Sequence, residues 1–496
     1  MLQIKTIIPR SYQNEIFETS KEKNTIAVLP TGTGKTVNAM MLTVYRLNKI
    51  QGSRAIIVSP TKPLCQQHFR TFLENTTIDK NEISLLTGAI KQDSRLDLYK
   101  ISRIIIATPQ TVKEDLSKGI VSLKDVSLLV IDEAHRAIGN YAYTFLTKRY
   151  IEESEFPRIL ALTASPGGSK QKIDEICKNL SIEAIEIRTE EDIKEYIQEK
   201  NVKWLKIDLP DSLKQINSLI RSVYKEKLKD LRNIGYTKPV AIINKKDLIS
   251  LQIDFRKKLG AKNPSAYYGI SLTALLLKID YASELLETQG LVSLKEFWSK
   301  LKEDKTKAAR NILNIRQIQE AISLTKDLIE NGVKHPKLHI LKDIIKKELY
   351  QNETSKIIVF ANYRTTIDEI ISFLNEEEKV NAIKLIGQKS GLTQKEQMSV
   401  VKNFEEGSPN VLVTTSIGEE GLSINSATMA IFFDSTPSEI RNIQRAGRVA
   451  RIRAGKIIFL LTNDTREIGY YWVAKRKENV MRKTLKQMQE KSLDDF

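Results

Sequence analysis

Glycines at positions 32 and 34, followed at once by Lys35 and Thr36, could hold a polyphosphate. Without side chains the backbone can curl until successive N–H groups converge on phosphate oxygens, at the positive start of the next helix. Lys35 would reach the outer phosphates, and the Thr36 hydroxyl would complete a Mg²⁺ shell. The stretch Leu29-Pro30-Thr31-Gly32-Thr33-Gly34-Lys35-Thr36 departs from the strict G-x-x-x-x-G-K-[ST] spacing, because Leu29 stands where the first glycine would be. Taken alone, it could also be a glycine-rich turn that carries a lysine.

A second group decides between those readings. The run Leu128 to Ile131 delivers Asp132-Glu133-Ala134-His135. An aspartate leaving a hydrophobic strand beside a phosphate loop is placed to hold Mg²⁺, and the adjacent glutamate can orient or deprotonate an attacking water. A lone Asp-Glu would more simply cap a strand end in solvent. A third group, Gln444-Arg445-Ala446-Gly447-Arg448-Val449-Ala450-Arg451, puts arginines on a helix beginning around Pro437 and the turn after it. Guanidinium groups so spaced could stabilise the charge of phosphoryl transfer, or could form a plain basic helix end. His335 and His339 have the i, i+4 spacing of metal ligands. Pro336 follows directly and no third ligand is evident, so a metal site is discarded.

These groups need strands to carry them. Short apolar runs alternate with amphipathic segments from Asn24 to about Arg188: Ile26 to Leu29, Ala55 to Val58, Ile83 to Leu86, Ile104 to Ala107, Leu128 to Ile131 and Ile159 to Leu162. Runs so uniformly apolar are what a parallel sheet covered on both faces requires, and its ligands bind at the carboxyl ends of the strands. The pattern resumes with Ile357 to Ala361, Val411 to Val413, Met429 to Phe433 and Ile457 to Leu461, which implies a second parallel sheet.

Between the two, from about Trp204 to His335-Pro336, apolar residues fall at helical spacing, as in Ile216, Leu219, Ile220 and Val223. Three basic clusters mark this insert: Lys225, Lys227, Lys229 and Arg232; Arg256, Lys257 and Lys258; and Lys300, Lys302, Lys305, Lys307 and Arg310. Any one of them could equally be a solvated face. The tail from Arg466 to Lys491 reads as a helix with a seam at Met481, Leu485 and Met488, packed on the second sheet through Tyr470, Tyr471 and Trp472.

The fold class is therefore α/β, two parallel-sheet domains with an inserted all-helical domain. The expected boundaries are 1–203, 204–335 and 336–496. A chain of 496 residues exceeds one hydrophobic core. Its net charge of +17 fits a nucleic-acid partner, although a lysine-rich proteome would produce the same figure. Cys65 and Cys177 are the only cysteines, which rules out a disulfide framework or zinc ribbon and leaves both as packing residues. No apolar run approaches bilayer length and the start lacks a signal peptide's apolar stretch, so a cytoplasmic location is expected.

Assembled, the chain resembles a superfamily 2 DEAH-type helicase. LPTGTGKT, SPTKPLCQQH, ATPQTV, VIDEAHRA, LTASPG, IVFANYR, TTSIGEEGLSI and QRAGRVAR occur in that family's order. The basic insert, PRSYQ, SPTKPL, DEAHRAIGNYAY and YYWVAKRKENVMRK narrow the resemblance to the archaeal Hef helicase and the Fanconi anaemia M translocase, and more distantly to RIG-I-like and Dicer helicases.

That resemblance implies two RecA-like domains with ATP and Mg²⁺ between them. Arg10 and Gln13 would meet the adenine, with Thr31, Gly32, Thr33, Gly34, Lys35 and Thr36 at the phosphates, and Thr36 and Asp132 at the metal. Glu133 would act on the water. From the opposite domain Gln444, Arg448 and Arg451 would reach the γ-phosphate and Gly421 would lie at the nucleotide. Thr163 to Ser165 and Gly418 to Gly421 would couple nucleotide state to grip, and Thr61, Lys62, Thr108, Gln110, Arg364 and Thr415 would hold the sugar-phosphate backbone.

Ala450 and Ser423 replace a glycine and an aspartate common in the family, and the chain ends without room for the nuclease domain many Hef proteins carry. The implied activity is ATP-driven strand separation or branch migration on branched DNA such as replication forks and Holliday junctions, by a monomer, with a sliding clamp or a nuclease as a plausible partner. Double-stranded or structured RNA as the track, and a nucleic-acid-stimulated ATPase switch that does not unwind, are the alternatives.

Overall fold

Each apolar run of the first 190 residues becomes a strand with both faces covered. A computed structural model describes the chain apart from residues 6, 31, 165, 168, 169, 190, 197–200, 235, 237, 240–242, 262, 263, 387–392, 416–426, 435–454, 470, 474, 475, 477, 478, 481, 482 and 485–496. The first sheet contains β1 (Thr25–Val28), β2 (Arg54–Val58), β3 (Ile83–Leu86), β4 (Ile104–Ala107), β5 (Val126–Asp132), β6 (Ile159–Thr163) and β7 (Ala184–Ile187). Its order is β3-β4-β2-β5-β6-β1-β7, with all neighbours parallel. Successive side chains of a strand point to opposite faces, so Ile56 and Val58 enter one core while Ala55 and Ile57 enter the other. Helices cover both faces, and every position of such a strand must then be apolar.

The second sheet contains β8 (Asn201–Ile207), β9 (Ile357–Phe360), β10 (Ala382–Leu385), β11 (Val411–Thr414), β12 (Met429–Phe432) and β13 (Lys456–Thr462). Its order is β10-β11-β9-β12-β13-β8, again all parallel. The boundary expected after residue 203 falls inside β8, whose seven residues pair with β13 from Asn201↔Lys456 to Ile207↔Thr462. Aromatic rings secure this pairing. Trp204 stacks on Phe459 at 3.8 Å, Phe459 on Phe432 at 4.4 Å and Phe432 on Phe360 at 4.9 Å. β7, β8 and β10 lie at sheet edges and carry Glu186, Lys203, Lys206 and Lys384, so they lack the unbroken apolar run that marks a central strand.

The insert begins with the helix Asp211–Asp230 and includes Lys245–Lys257, Pro264–Thr288, Leu291–Glu303, Lys307–Leu313 and Arg316–Glu330. Leu213, Ile216, Ile220 and Val223 pack with Leu272, Leu276, Ile279 and Ile318 in a core of its own. Polar bonds clasp this core to the second sheet's domain. Arg466, just past β13, meets Asp280 at 3.1 Å, Glu287 at 3.2 Å and Glu284 at 3.4 Å. Gln289 bridges Asp434 at 3.1 Å and Thr366 at 2.8 Å. Tyr471 lies 4.0 Å from Trp204, as a tail packed on this sheet requires, while Trp472 is 54% exposed. Tyr470, Met481, Leu485 and Met488 lie outside the described residues.

Cys65 is buried against the first sheet, and burial pushes its thiol up to about 12. Burial likewise takes Cys177 to about 11. No helix among the described residues is long and apolar enough to cross a membrane.

His335 is the N-cap of the helix Pro336–Gln351; its ring Nδ1 accepts the Lys337 N–H at 3.3 Å. The ring is buried. Burial, aided by the Lys337 charge, brings its pKa down to about 3. Folded and unfolded chains therefore both hold it neutral above about pH 6.5, its ordinary value. As pH falls below that, only the unfolded chain takes the proton, and stability drops by up to about 1.4 kcal/mol per pH unit until about pH 3. His335→Asn keeps a capping acceptor and removes the titration. Between pH 6.5 and 5 it should lose about 2 kcal/mol less unfolding free energy in urea than the parent. Equal losses would show that His335 titrates normally.

Candidate functional site

β1 ends at Val28, and Leu29 still bonds across the sheet, its N–H donating to Thr163 O at 3.0 Å. The chain then turns through Gly32 (φ 81°) and Gly34 (φ 84°), left-handed conformations that glycine adopts without strain. A Cβ at Gly34 would also sit 2.6 Å from the Gln13 amide nitrogen, so the Gln13 side chain would have to shift to admit one. Lys35 opens the helix Lys35–Lys49, whose first N–H groups and dipole favour an anion. Its ammonium reaches Leu29 O at 3.4 Å, folding back over the loop, and Thr36 lies half-buried in the same first turn. Thr33 Oγ1 donates to Pro30 O at 2.7 Å and stiffens the turn. Thr31 lies outside the described residues.

A second support comes from the helix Ser11–Glu22. Its Gln13 amide donates to Thr33 O at 3.3 Å and its backbone carbonyl accepts from Asn38 at 3.0 Å. The Tyr12 hydroxyl also donates to Thr33 O, at 2.5 Å, and accepts from Arg10 Nη1 at 3.2 Å. Arg10 and Gln13 thus stand beside the loop.

β5 delivers Asp132 at its carboxyl end, two strands from β1. The carboxylate is 6% exposed. Burial alone would raise its pKa, but His68 Nε2 at 3.0 Å, the Lys35 charge and the Ser59 hydroxyl at 2.9 Å together hold it down to about 2. Its backbone carbonyl accepts from the Tyr143 hydroxyl at 2.6 Å. Glu133 follows in a left-handed conformation (φ 52°, ψ 48°), strained for a residue with a Cβ. Burial pushes its carboxyl up, with the Asp132 charge adding to that. The His135 ring at 3.3 Å and the Lys35 charge reverse the shift and leave it below the ordinary glutamate range. Lys35, Asp132 and Glu133 therefore form one electrostatic unit. His135 also meets Thr163 Oγ1 at 3.3 Å, which joins the acids to the end of β6.

Four other loops leave the same carboxyl edges. Thr61 and Lys62 follow β2, where Thr61 caps the helix Lys62–Asn75 with its Oγ1 buried and unpartnered. Thr108 follows β4, its hydroxyl 2.8 Å from that of Thr111, and Gln110 is exposed with its amide 3.4 Å from the Tyr141 hydroxyl. In the second sheet Arg364 is exposed at the start of the helix Arg364–Leu374 after β9, and Thr415 follows β11. β2 and β4 are neighbours, as are β9 and β11. The candidates for gripping a strand thus fall in two adjacent pairs, one per sheet. Ser165, Gly418, Gly421, Gln444, Arg448 and Arg451 lie outside the described residues.

Sequence reasoning missed His68, Ser59, Tyr143 and Tyr12. A signal existed for one of them: Cys65, His68 and Phe72 form the buried stripe of their helix, and a histidine on an apolar stripe needs a partner. Ser59, Tyr143 and Tyr12 carry no such mark.

Comparison with known proteins converges on this arrangement. Residues 10–173 match the DEAD/DEAH box helicase family, residues 336–453 the helicase conserved C-terminal domain, and residues 212–332 the family "Putative ATP-dependent RNA helicase, helical bundle". The crystal structure of the Pyrococcus furiosus Hef helicase domain is 39% identical with a TM-score of 0.74, covering 94% of this chain and 98% of that one. "Putative ATP-dependent RNA helicase MJ1505" of Methanocaldococcus jannaschii is 38% identical over 98% of this chain and 62% of its own length. The ATP-dependent DNA helicase mph1 of Neurospora crassa is 34% identical, covering 92% of this chain and 41% of its own. For the mouse Fanconi anemia group M protein homolog the figures are 31%, 95% and 25%. The chain thus spans between a quarter and about three fifths of the length of these curated relatives. With both helicase domains, the helical bundle between them and a solved relative matched almost end to end, the chain belongs to the DEAD/DEAH-box helicases, in the group that contains Hef and the Fanconi anaemia M proteins.

Proposed function

We propose that this chain is an ATP-driven helicase or translocase acting on branched DNA. The observation that carries the reading is the electrostatic unit of Lys35, Asp132 and Glu133 beside a phosphate loop, on the sheet edge that also presents Thr61 and Thr108. Relatives named DNA helicases support the choice of track.

In this reading Gly32 to Thr36 cradle the phosphates and Arg10 and Gln13 take the adenine. The donors suit Mg²⁺: a hydroxyl in the first turn of a helix and a carboxylate kept ionised, both hard oxygens. Thr36 and Asp132 would hold the ion, which supplies charge neutralisation at the phosphates. Glu133, charged and aimed by its strained backbone, accepts the proton of the attacking water. Gln444, Arg448 and Arg451 would, by the family resemblance, meet the γ-phosphate. Closure around ATP and reopening after hydrolysis shift the Thr61–Thr108 grip relative to the Arg364–Thr415 grip, which moves the strand. Contacts limited to phosphate and sugar need no particular sequence.

RNA is the second reading, favoured by the names of one relative and of the helical-bundle family. Strand-displacement assays on forked DNA, linear duplex DNA and duplex RNA separate the two. The DNA proposal predicts the fastest displacement on forked DNA, and ATPase activity stimulated by RNA alone would overturn it.

Lys35→Ala should reduce ATP turnover by roughly 10²-fold or more, because a charge that the transition state needs is removed. Near-normal turnover would remove the site assignment. The insert's basic clusters are tested best by charge. Lys227 is partly neutralised by Glu226 at 3.1 Å and Asp230 at 3.4 Å, whereas Lys225, Lys229 and Arg232 are exposed. Changing those three to glutamate should lower affinity for forked DNA and flatten its salt dependence, by a slope of about 0.7–0.9 for each phosphate that is no longer neutralised. Basal ATPase should stay unchanged. An unaltered salt slope would show these residues to be ordinary solvated surface.

A further inference from the structure

We propose that Tyr196 is a positioning residue of the base-binding site, holding Arg10 in the plane in which it meets the adenine. The inference rests on the reading of Arg10 and Gln13 as base contacts and adds a residue, 186 positions further along the chain, that lies outside all of the helicase motifs.

The turn Lys194–Tyr196 returns to the first sheet's domain after β7 and packs on the helix Ser11–Glu22. Ile193 is 1% exposed in the same core as Tyr12 and Ile16, which fixes the turn. Three consecutive residues of the helix start then engage Tyr196. The Arg10 guanidinium lies over its ring, 5.3 Å from the centroid, and donates through Nη1 to its backbone carbonyl at 3.4 Å. Ser11 Oγ is 3.2 Å from its hydroxyl. The Tyr12 ring is 5.5 Å away, tilted by 60°.

These contacts form a relay. Tyr196 fixes Arg10, Arg10 bonds the Tyr12 hydroxyl, and Tyr12 bonds Thr33 O in the phosphate loop. An arginine side chain left to itself samples many rotamers, and fixing it beforehand lowers the cost of binding a flat base against it. A cation over an aromatic face, with a hydrogen bond to that residue's own carbonyl, restrains the guanidinium in position and orientation together. The relay reaches the phosphate loop only at the Thr33 carbonyl, which Gln13 also holds, so losing Tyr196 is felt at the base and not at the phosphates.

The test separates base from phosphate. In steady-state ATPase assays Tyr196→Ala should raise KM for ATP roughly three- to tenfold, as expected when one aromatic or cation–π interaction is removed, with kcat within about twofold. Competitive inhibition by tripolyphosphate, which has no base, should not change. Tyr196→Phe keeps the ring and carbonyl, loses only the bond to Ser11, and should stay within about twofold of the parent. An unchanged or lowered KM in Tyr196→Ala, or a parallel loss of tripolyphosphate inhibition, overturns the proposal. Arg10→Ala is the comparator. If it raises KM for ATP and Tyr196→Ala does not, Tyr196 alone is wrongly assigned; if neither does while Lys35→Ala is inactive, the base site lies elsewhere and the phosphate site stands. Thermal melting with and without ADP shows whether each variant is folded.

Discussion

A carboxylate kept ionised while almost wholly buried is the constraint on which the rest of the site depends. Moving Asp132 out of water favours its neutral form, which could not serve as a hard ligand for a divalent cation. The fold opposes this with donors from three separate elements: His68 from the helix after β2, Ser59 from the end of β2 itself, and the charge of Lys35 from the helix after β1. Each must arrive within hydrogen-bond or short Coulomb range. Strand order provides that, since β5 lies beside β2 and only β6 separates it from β1. The helix that carries His68 also begins at Thr61 and Lys62. A displacement of that helix along its axis would be felt at Asp132 through one bond of 3.0 Å.

Parallel pairing extends the same logic to both sheets. When every strand runs one way, every carboxyl end opens on the same edge, and the loops that follow share one rim. On the first sheet that rim divides: β4 and β2 lead to Thr108 and Thr61, while β5, β6 and β1 lead to Asp132, Thr163 and the phosphate loop. The second sheet presents Arg364 and Thr415 in the same relation.

How much of this was legible in the sequence follows from burial. Central strands such as Ala55 to Val58 are apolar at every position because both faces are covered. The turn through Gly32 and Gly34 was legible because glycine at positive φ has few substitutes. β8 was not, since an edge strand is free to alternate, and Asn201, Lys203 and Lys206 resemble the polar side of a helix beginning. Its assignment rests on parallel pairing with β13, in which Trp204 meets Phe459 across 255 positions of sequence. His335 and His339 had metal-like spacing, yet the first is a buried cap and the second meets the Phe373 ring edge-on at 5.1 Å. The partners of Asp132 were hidden for the same reason as β8, because hydrogen bonds across 64 and 73 positions have no local signature.

The route of the chain between the sheets has a mechanical consequence. Tyr196 is fixed to the first domain and Asn201 begins a strand of the second sheet, so five residue steps join them. A fully extended chain covers about 3.6 Å per residue, which limits their separation to about 18 Å at any stage of a cycle. From β8 the chain enters the helical insert, and that insert is bound back to the second domain by Arg466 on three carboxylates and by Gln289 on Asp434 and Thr366. Asp280 and Glu287 are buried and also meet Arg221 of the insert's own first helix, at 3.6 and 3.0 Å, so Arg466 adds a second arginine, from the second domain, to carboxylates that the insert already pairs. These bonds tie the insert's basic surface to the second sheet, and the start of that sheet's β8 stays within this contour length of Tyr196, which packs on the helix Ser11–Glu22 of the first domain.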